Sequence, residues 1–132
     1  TLWPFSYQAL MKPLSDFFPH ILPHLPGCSE PLVAQVLLES AVYFCTMSET
    51  AVGTQPTLTA TELDDALFDK WLEYVAAGAV ARAMMVPSQP FSDPTRAQFF
   101  FARSYAGVAL ARRLALADAS LGSLRVQSRP FF

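Results

Sequence analysis

The sequence predicts an all-α fold: a bundle of three or four helices followed by an extended C-terminal arm. Three observations point there. Apolar residues recur at steps of three and four over long segments, prolines and capping residues fall at the ends of those segments, and period-two alternation is confined to the last ten residues. The 132-residue chain is 52% hydrophobic and only 15% charged, with mean hydropathy +0.29, against about 25% charge in an average domain. That balance excludes a disordered chain and a charged coiled coil. The length suits one domain with a closed core, so residues 1–122 are read as the helical domain and 123–132 as the arm.

Taken in order, residues 1–27 are broken by Pro4, Pro13, Pro19, Pro23 and Pro26 and are expected to form irregular chain or short helical turns. The first long helix starts at Ser29, a favourable N-cap, with Pro31 tolerated in the first turn. Its core stripe is Leu32, Val33, Val36, Leu37, Ala41, Phe44 and Cys45. Residues 46–60, rich in Thr, Ser and Gly, read as a loop. A second long helix is expected from Thr61 to about Val86, some 38 Å, opened by Thr61 with Asp64 as an aspartate capping box. On that helix Glu62, Asp65, Asp69 and Glu73 share one narrow stripe opposite Leu67, Trp71, Tyr74, Val75 and Gly78. Beyond Val75 it carries mostly alanine and glycine, which admits close helix neighbours. Its one charge there, Arg82, either caps the last carbonyls or pairs with a carboxylate at an interface.

Pro87, Pro90 and Pro94 stiffen the next connector, and Ser92 or Asp93 is expected to cap a helix that starts at Pro94. Phe99, Phe100, Phe101, Tyr105, Val108, Ala111 and Leu114 give this helix a broad apolar surface, and Gly122 is its expected stop. It should pack antiparallel to its predecessor. From Leu124 to Arg129 the pattern alternates, and Pro130-Phe131-Phe132 follows, as in a strand with an aromatic tip.

Charge is segregated along the chain. Residues 1–73 hold nine acids against two lysines, a net of −7; residues 74–132 hold seven arginines against two aspartates, a net of +5. A dipolar chain of this kind can bind itself head to tail, or offer its basic end to nucleic acid. Four spread arginines, Arg112, Arg113, Arg125 and Arg129, form no recognisable nucleic-acid reading module. The most apolar run, Tyr74 to Val86, falls short of the ~20 residues that span a bilayer, so no membrane partner is expected. Cys28 and Cys45 would lie about 24 Å apart along one helix, too far to bridge, and are read as reduced thiols. The prolines leave no secretory leader pattern, and synthesis in a cytosol is expected.

Little here points to catalysis. His20, His24 and Cys28, four apart, would stack three metal ligands on a continuous helix, but Pro23 and Pro26 interrupt it and no fourth ligand is evident. No phosphate-binding loop, nucleophile elbow or nucleotide fingerprint occurs. Neither an enzyme nor a cofactor is expected.

The run Gly78-Ala79-Val80-Ala81-Arg82, followed by Pro87 and by Pro90-Phe91-Ser92-Asp93-Pro94, resembles the most recognisable stretch of the head-tail adaptor (connector) proteins of tailed bacteriophages. There a Gly-Ala-x-Ala-Arg helix leads into Met-Pro-Gly-Lys-Pro-Trp-Ser-Asn/Asp-Pro. The likeness extends through Phe101-Ala102-Arg103 to Arg112. Upstream, Pro26-Gly27-Cys28-Ser29-Glu30-Pro31 and Phe44-Cys45 are similar to the family's Pro-Gly-Cys-Pro-Glu-Pro and Phe-Cys landmarks, so it covers about residues 20–115. Ser88 and Gln89 stand where the family has Gly and Lys, and Phe91 where it has Trp. Many relatives carry a β-rich insertion where this chain has a short loop.

The resemblance implies a structural virion neck protein. It implies a ring, a dodecamer in that family, joining the portal protein of the capsid to a downstream tail or neck protein, with DNA passing through and not read by sequence. Another neck role, such as tail-completion or stopper protein, is the alternative, and a small DNA-binding protein a more distant one. The residues assigned to portal or neighbour docking are Leu124, Arg125, Val126, Arg129, Phe131 and Phe132. Those assigned to the subunit interface are Glu62, Asp65, Asp69 and Glu73 against Arg82, Arg96 and Arg103.

Overall fold

A computed structural model describes residues 11–50, 52 and 54–127. The chain opens with a three-residue strand, β1 (Met11–Pro13), and steps down through three 3-10 turns at Leu14–Asp16, Phe18–His20 and Leu22–His24. The long elements are α1 (Glu30–Ser48), α3 (Leu72–Met84) and α4 (Pro94–Gln127), with a strand β2 (Glu62–Asp64) and a short helix α2 (Asp65–Asp69) between the first two. The fold is a mostly helical bundle, as expected. α3 is its centre, packed against both α1 and α4.

The prolines of the N-terminal segment explain its turns. Pro19 and Pro23 each occupy the start of a 3-10 turn, where the missing N–H costs nothing. The turns drop Phe17, Ile21 and Leu25 into the core, all at most 1% exposed. Gly27, at φ +80°, then turns the chain into α1 and lies against Pro90 of the distant connector. A left-handed φ of this kind is cheap for glycine alone.

α1 runs three residues past Cys45 and ends at Glu49, which takes a left-handed conformation (φ 58°). Ser29 occupies the N-cap position, although its side chain makes no capping bond. The expected stripe is buried apart from the half-buried Leu32, and Leu38, Ser40 and Ser48 join it. α1, not the stretch from Tyr74 to Val86, is also the longest apolar helix. By length and composition it is apolar enough to cross a membrane, but half of it is buried within the bundle.

The expected single helix from Thr61 to Val86 is three elements. Residues 62–64 pair antiparallel with β1, Met11 opposite Asp64 and Pro13 opposite Glu62. The cap is Asp64 and not Thr61: one carboxylate oxygen accepts from the N–H of Ala66 at 2.9 Å and the other from Thr54 at 3.0 Å. Asp64 is almost fully buried, and those two bonds offset its desolvation. The chain breaks again at Lys70–Trp71, letting the Trp71 ring turn inward against Phe44, centroids 5.4 Å apart. Burial of a large aromatic outweighs one or two helical hydrogen bonds.

Asp93 joins the last two helices. Its side chain accepts from the N–H of Arg96, capping α4, while its own N–H donates to the carbonyl of Met84 at the end of α3. Gly78 faces Ser104 and Gly107 faces Tyr74, so position rises on α3 as it falls on α4, and the pair is antiparallel as expected. Gly122 does not stop α4. The helix continues to Gln127, so Leu124, Arg125 and Val126, expected in an extended arm, are helical. A glycine inside a helix costs only about 1 kcal/mol, and extending an existing helix is far cheaper than nucleating one. The remaining arm positions, Arg129, Phe131 and Phe132, lie outside the described residues.

Candidate assembly surface

The centre of the bundle is set by Gly78. A Cβ there would run into the hydroxyl of Ser40 on α1 and lie 2.9 Å from that of Ser104 on α4. The glycine therefore lets three helices meet at one level. Ser40 holds the crossing by donating a 2.7 Å hydrogen bond to the carbonyl of Val75. On the same turn Arg82 folds back, its guanidinium donating to the Gly78 carbonyl at 3.1 Å and stacking over Tyr43 (5.1 Å) and Phe101 (5.9 Å). The capping reading of Arg82 is corrected: it bonds the Gly78 carbonyl and not the last carbonyls of α3, because two aromatic faces attract a partly buried guanidinium. Among the described residues it pairs with no carboxylate of its own chain.

With its inner face filled by Ala97, Phe100, Ser104, Gly107 and Ala111, α4 leaves an apolar face turned outward. Phe99 is 62% exposed, Tyr105 50% and Leu116 55%. Ala102, Ala106 and Ala109 lie between them, at the spacing that puts all six on one side of a helix. Scattered exposed apolar residues need no explanation, whereas a contiguous run along one helix is a candidate contact surface. Arg112 reaches Glu49 at 3.9 Å and the carbonyl of Met47 at 3.4 Å, while Arg113 is exposed with no acidic partner among the described residues.

The residues assigned to subunit contacts are dispersed. Glu73 and Arg103 form an ion pair inside the chain, through Arg103 Nε at 2.8 Å and Nη2. Arg96 lies over the Phe100 ring at 5.6 Å. Asp65 turns inward, one carboxylate oxygen buried without a hydrogen-bond partner. Glu62, in β2, and Asp69, at the end of α2, are exposed. The helical stripe expected of the four acids does not form, because only Glu73 is on the long helix.

Two concavities flank α4. One, of about 230 Å³, has an apolar floor of Leu72, Ala76, Ala77, Val80 and Phe100, with His20, His24, Glu73 and Arg103 at its rim. The other, about 690 Å³, runs between Lys70–Trp71 and Ala111, Leu114 and Ala115. His20 packs edge-on to Phe68 and His24 to Phe100, so the prolines separate the two imidazoles onto different aromatic partners. Among the described residues no group of three or more His, Cys, Asp or Glu is gathered as a metal site would require. Both cysteines are free thiols. Burial, with the Asp64 carboxylate adding to it, pushes the Cys45 thiol up to about 11; burial also raises Cys28.

Comparison with protein-family models, with curated proteins and with solved structures finds no match for this chain.

Proposed function

We propose that this chain is a structural, non-enzymatic subunit of a ring in the neck of a tailed bacteriophage, joining the portal of the capsid to the tail around the DNA channel. The observation that carries the reading is the outward apolar face of α4, from Phe99 to Leu116, which stands outside the core that the described residues form. Cyclic assembly covers such a face in every subunit. The residues of the adaptor-like motif support it from inside. Gly78 and Arg82 set the crossing of the three long helices, and Asp93 ties α3 to α4, so the motif serves the scaffold that presents the face.

In this reading the portal protein lies on one side of the ring and a tail or neck protein on the other, and twelve copies match the resemblance. The docking element is the C-terminal part of α4 with the residues that follow, including Leu124, Arg125, Val126, Arg129, Phe131 and Phe132. Negative-stain imaging and native mass spectrometry of the purified chain, alone and with portal rings of the same virus, test the reading. Rings that stack coaxially on the portal are expected, and deletion of residues 123–132 should abolish stacking while keeping the helical circular dichroism. A chain that forms no ring with or without portal overturns it.

A further inference from the structure

We infer that the outward face of α4 docks on the acidic β2–α2 end of a second copy of this chain, in a head-to-tail contact. The inference rests on the ring reading for its purpose and adds the two surfaces that meet.

The charge on α4 excludes the simplest alternative. From Pro94 to Ala117 the helix carries four arginines and no acid; Arg103 and Arg112 pair with Glu73 and Glu49 and Arg96 lies over Phe100 inside the chain, which leaves Arg113 beside the outward face. Two such faces set against each other would place arginine beside arginine, and like charges in a contact are repulsive. A symmetric α4–α4 pair is therefore disfavoured, and an acidic partner surface is favoured. The β2–α2 end supplies one: Glu62 and Asp69 are exposed beside a single exposed lysine, Lys70, and neither carboxylate forms an ion pair among the described residues. Among the described residues Arg113 forms no ion pair, and it is the counter-charge beside the apolar run.

A chain cannot make this contact with itself. Ala66, Lys70 and Trp71 border the groove lined by Ala111, Leu114 and Ala115, and Ala111 points into the core. That places α2 on the inward side of α4, away from Phe99, Ala102 and Ala106. Each copy thus offers one surface of each kind, and a contact between unlike surfaces propagates to a ring or a filament instead of stopping at a dimer. Size points the same way. From Phe99 to Leu116 the face is about 26 Å long and about 10 Å wide for one helix, well below the ~800 Å² per partner of a stable pair. Closure, in which every copy uses two contacts, compensates for a weak single one.

Complementation between two variants tests the contact. One carries Phe99→Gln with Leu116→Gln, the other Glu62→Lys with Asp69→Lys; all four positions are exposed, and unchanged circular dichroism verifies the fold. By light scattering, wild type should assemble, and each variant alone should lose self-association about tenfold or more. At about 100 µM, where even a weak single contact is populated, their equimolar mixture should form a one-to-one heterodimer that grows no further, because the intact acidic end of the first meets the intact α4 face of the second. Wild-type assembly by either variant, or a mixture that stays monomeric, overturns the contact; rings still seen for wild type then leave the ring reading standing on another interface. A wild-type chain monomeric at about 100 µM, weak for any ring contact, overturns the contact; the ring reading falls with it only if no ring forms on portal either.

Discussion

The Ser40 hydroxyl donates a 2.7 Å hydrogen bond to the Val75 carbonyl, and it is this same hydroxyl that a side chain at position 78 would strike. One atom thus both pins α1 to α3 and fixes how close they stand. Gly78→Ala inverts the usual rule. Alanine in a helix is worth about 1 kcal/mol over glycine, but here it forces the helices apart, and overpacking costs about 1–3 kcal/mol. A net loss of stability is expected in urea unfolding. Adding Ser40→Ala removes the struck atom, so the double variant should lose less than the sum of the two singles.

Asp64 holds two backbone segments with one carboxylate. Asp64→Ala leaves the N–H groups of Ala66 and Thr54 without their partner, and a lost cap or buried bond costs about 1–2 kcal/mol. Hydrogen exchange should speed up at both amides before the rest of the protein is affected. Asp64→Asn, which keeps one acceptor oxygen, should retain part of the protection. Equal exchange at both amides in wild type and Asp64→Ala would show that the carboxylate holds neither.

What was legible in the sequence is the part set by short-range patterns. The steps of three and four in α1 and α4 and the cap at Asp93 are local properties, and they appear where expected. The region from Thr61 to Trp71 was not legible, because its outcome depends on partners distant in sequence. A strand over Glu62–Asp64 exists only because Met11–Pro13 pairs with it, and the break before α3 exists because Phe44 receives Trp71. Gly107 is a similar case. Its lack of a side chain makes room for Tyr74, a demand invisible until α3 and α4 are laid together. For the candidate surface, exposure of Phe99 beside the more buried Phe100 and Phe101 follows from helical geometry. Which charges are spent inside the chain, Glu73 on Arg103 and Glu49 on Arg112, could only be read from the fold.

The Glu73–Arg103 pair is about half exposed on both sides, so its distance overstates its worth. Exposed ion pairs contribute about 0–1 kcal/mol and are screened by salt. Arg103→Ala should change the unfolding midpoint little, and the small effect should vanish at about 1 M NaCl. A loss that survives high salt would mean that the arginine stem, and not its charge, covers the apolar floor of Leu72 and Phe100.

Cys45 makes stability depend on pH in the alkaline range. Its thiol is raised from an ordinary value of 9.0 to about 11, first by burial and then by the Asp64 carboxylate. The unfolded chain therefore releases this proton at lower pH than the folded one. Its contribution is fully present below pH ~9 and is lost as pH rises through about 11. Linkage of this kind amounts to at most about 2 kcal/mol once residual solvent access is allowed for. Urea unfolding at pH 8 and 10.5 should show wild type losing more stability over that interval than Cys45→Ala, which has no thiol to ionise; comparing the two cancels the tyrosines and lysines that titrate nearby. Equal losses would mean that the thiol titrates alike in the folded and unfolded chain. Asp64→Asn provides an independent check on the second cause. With the carboxylate neutralised, the thiol should titrate at lower pH in the folded protein, and Cys45 thiolate absorbance should rise earlier in a pH titration.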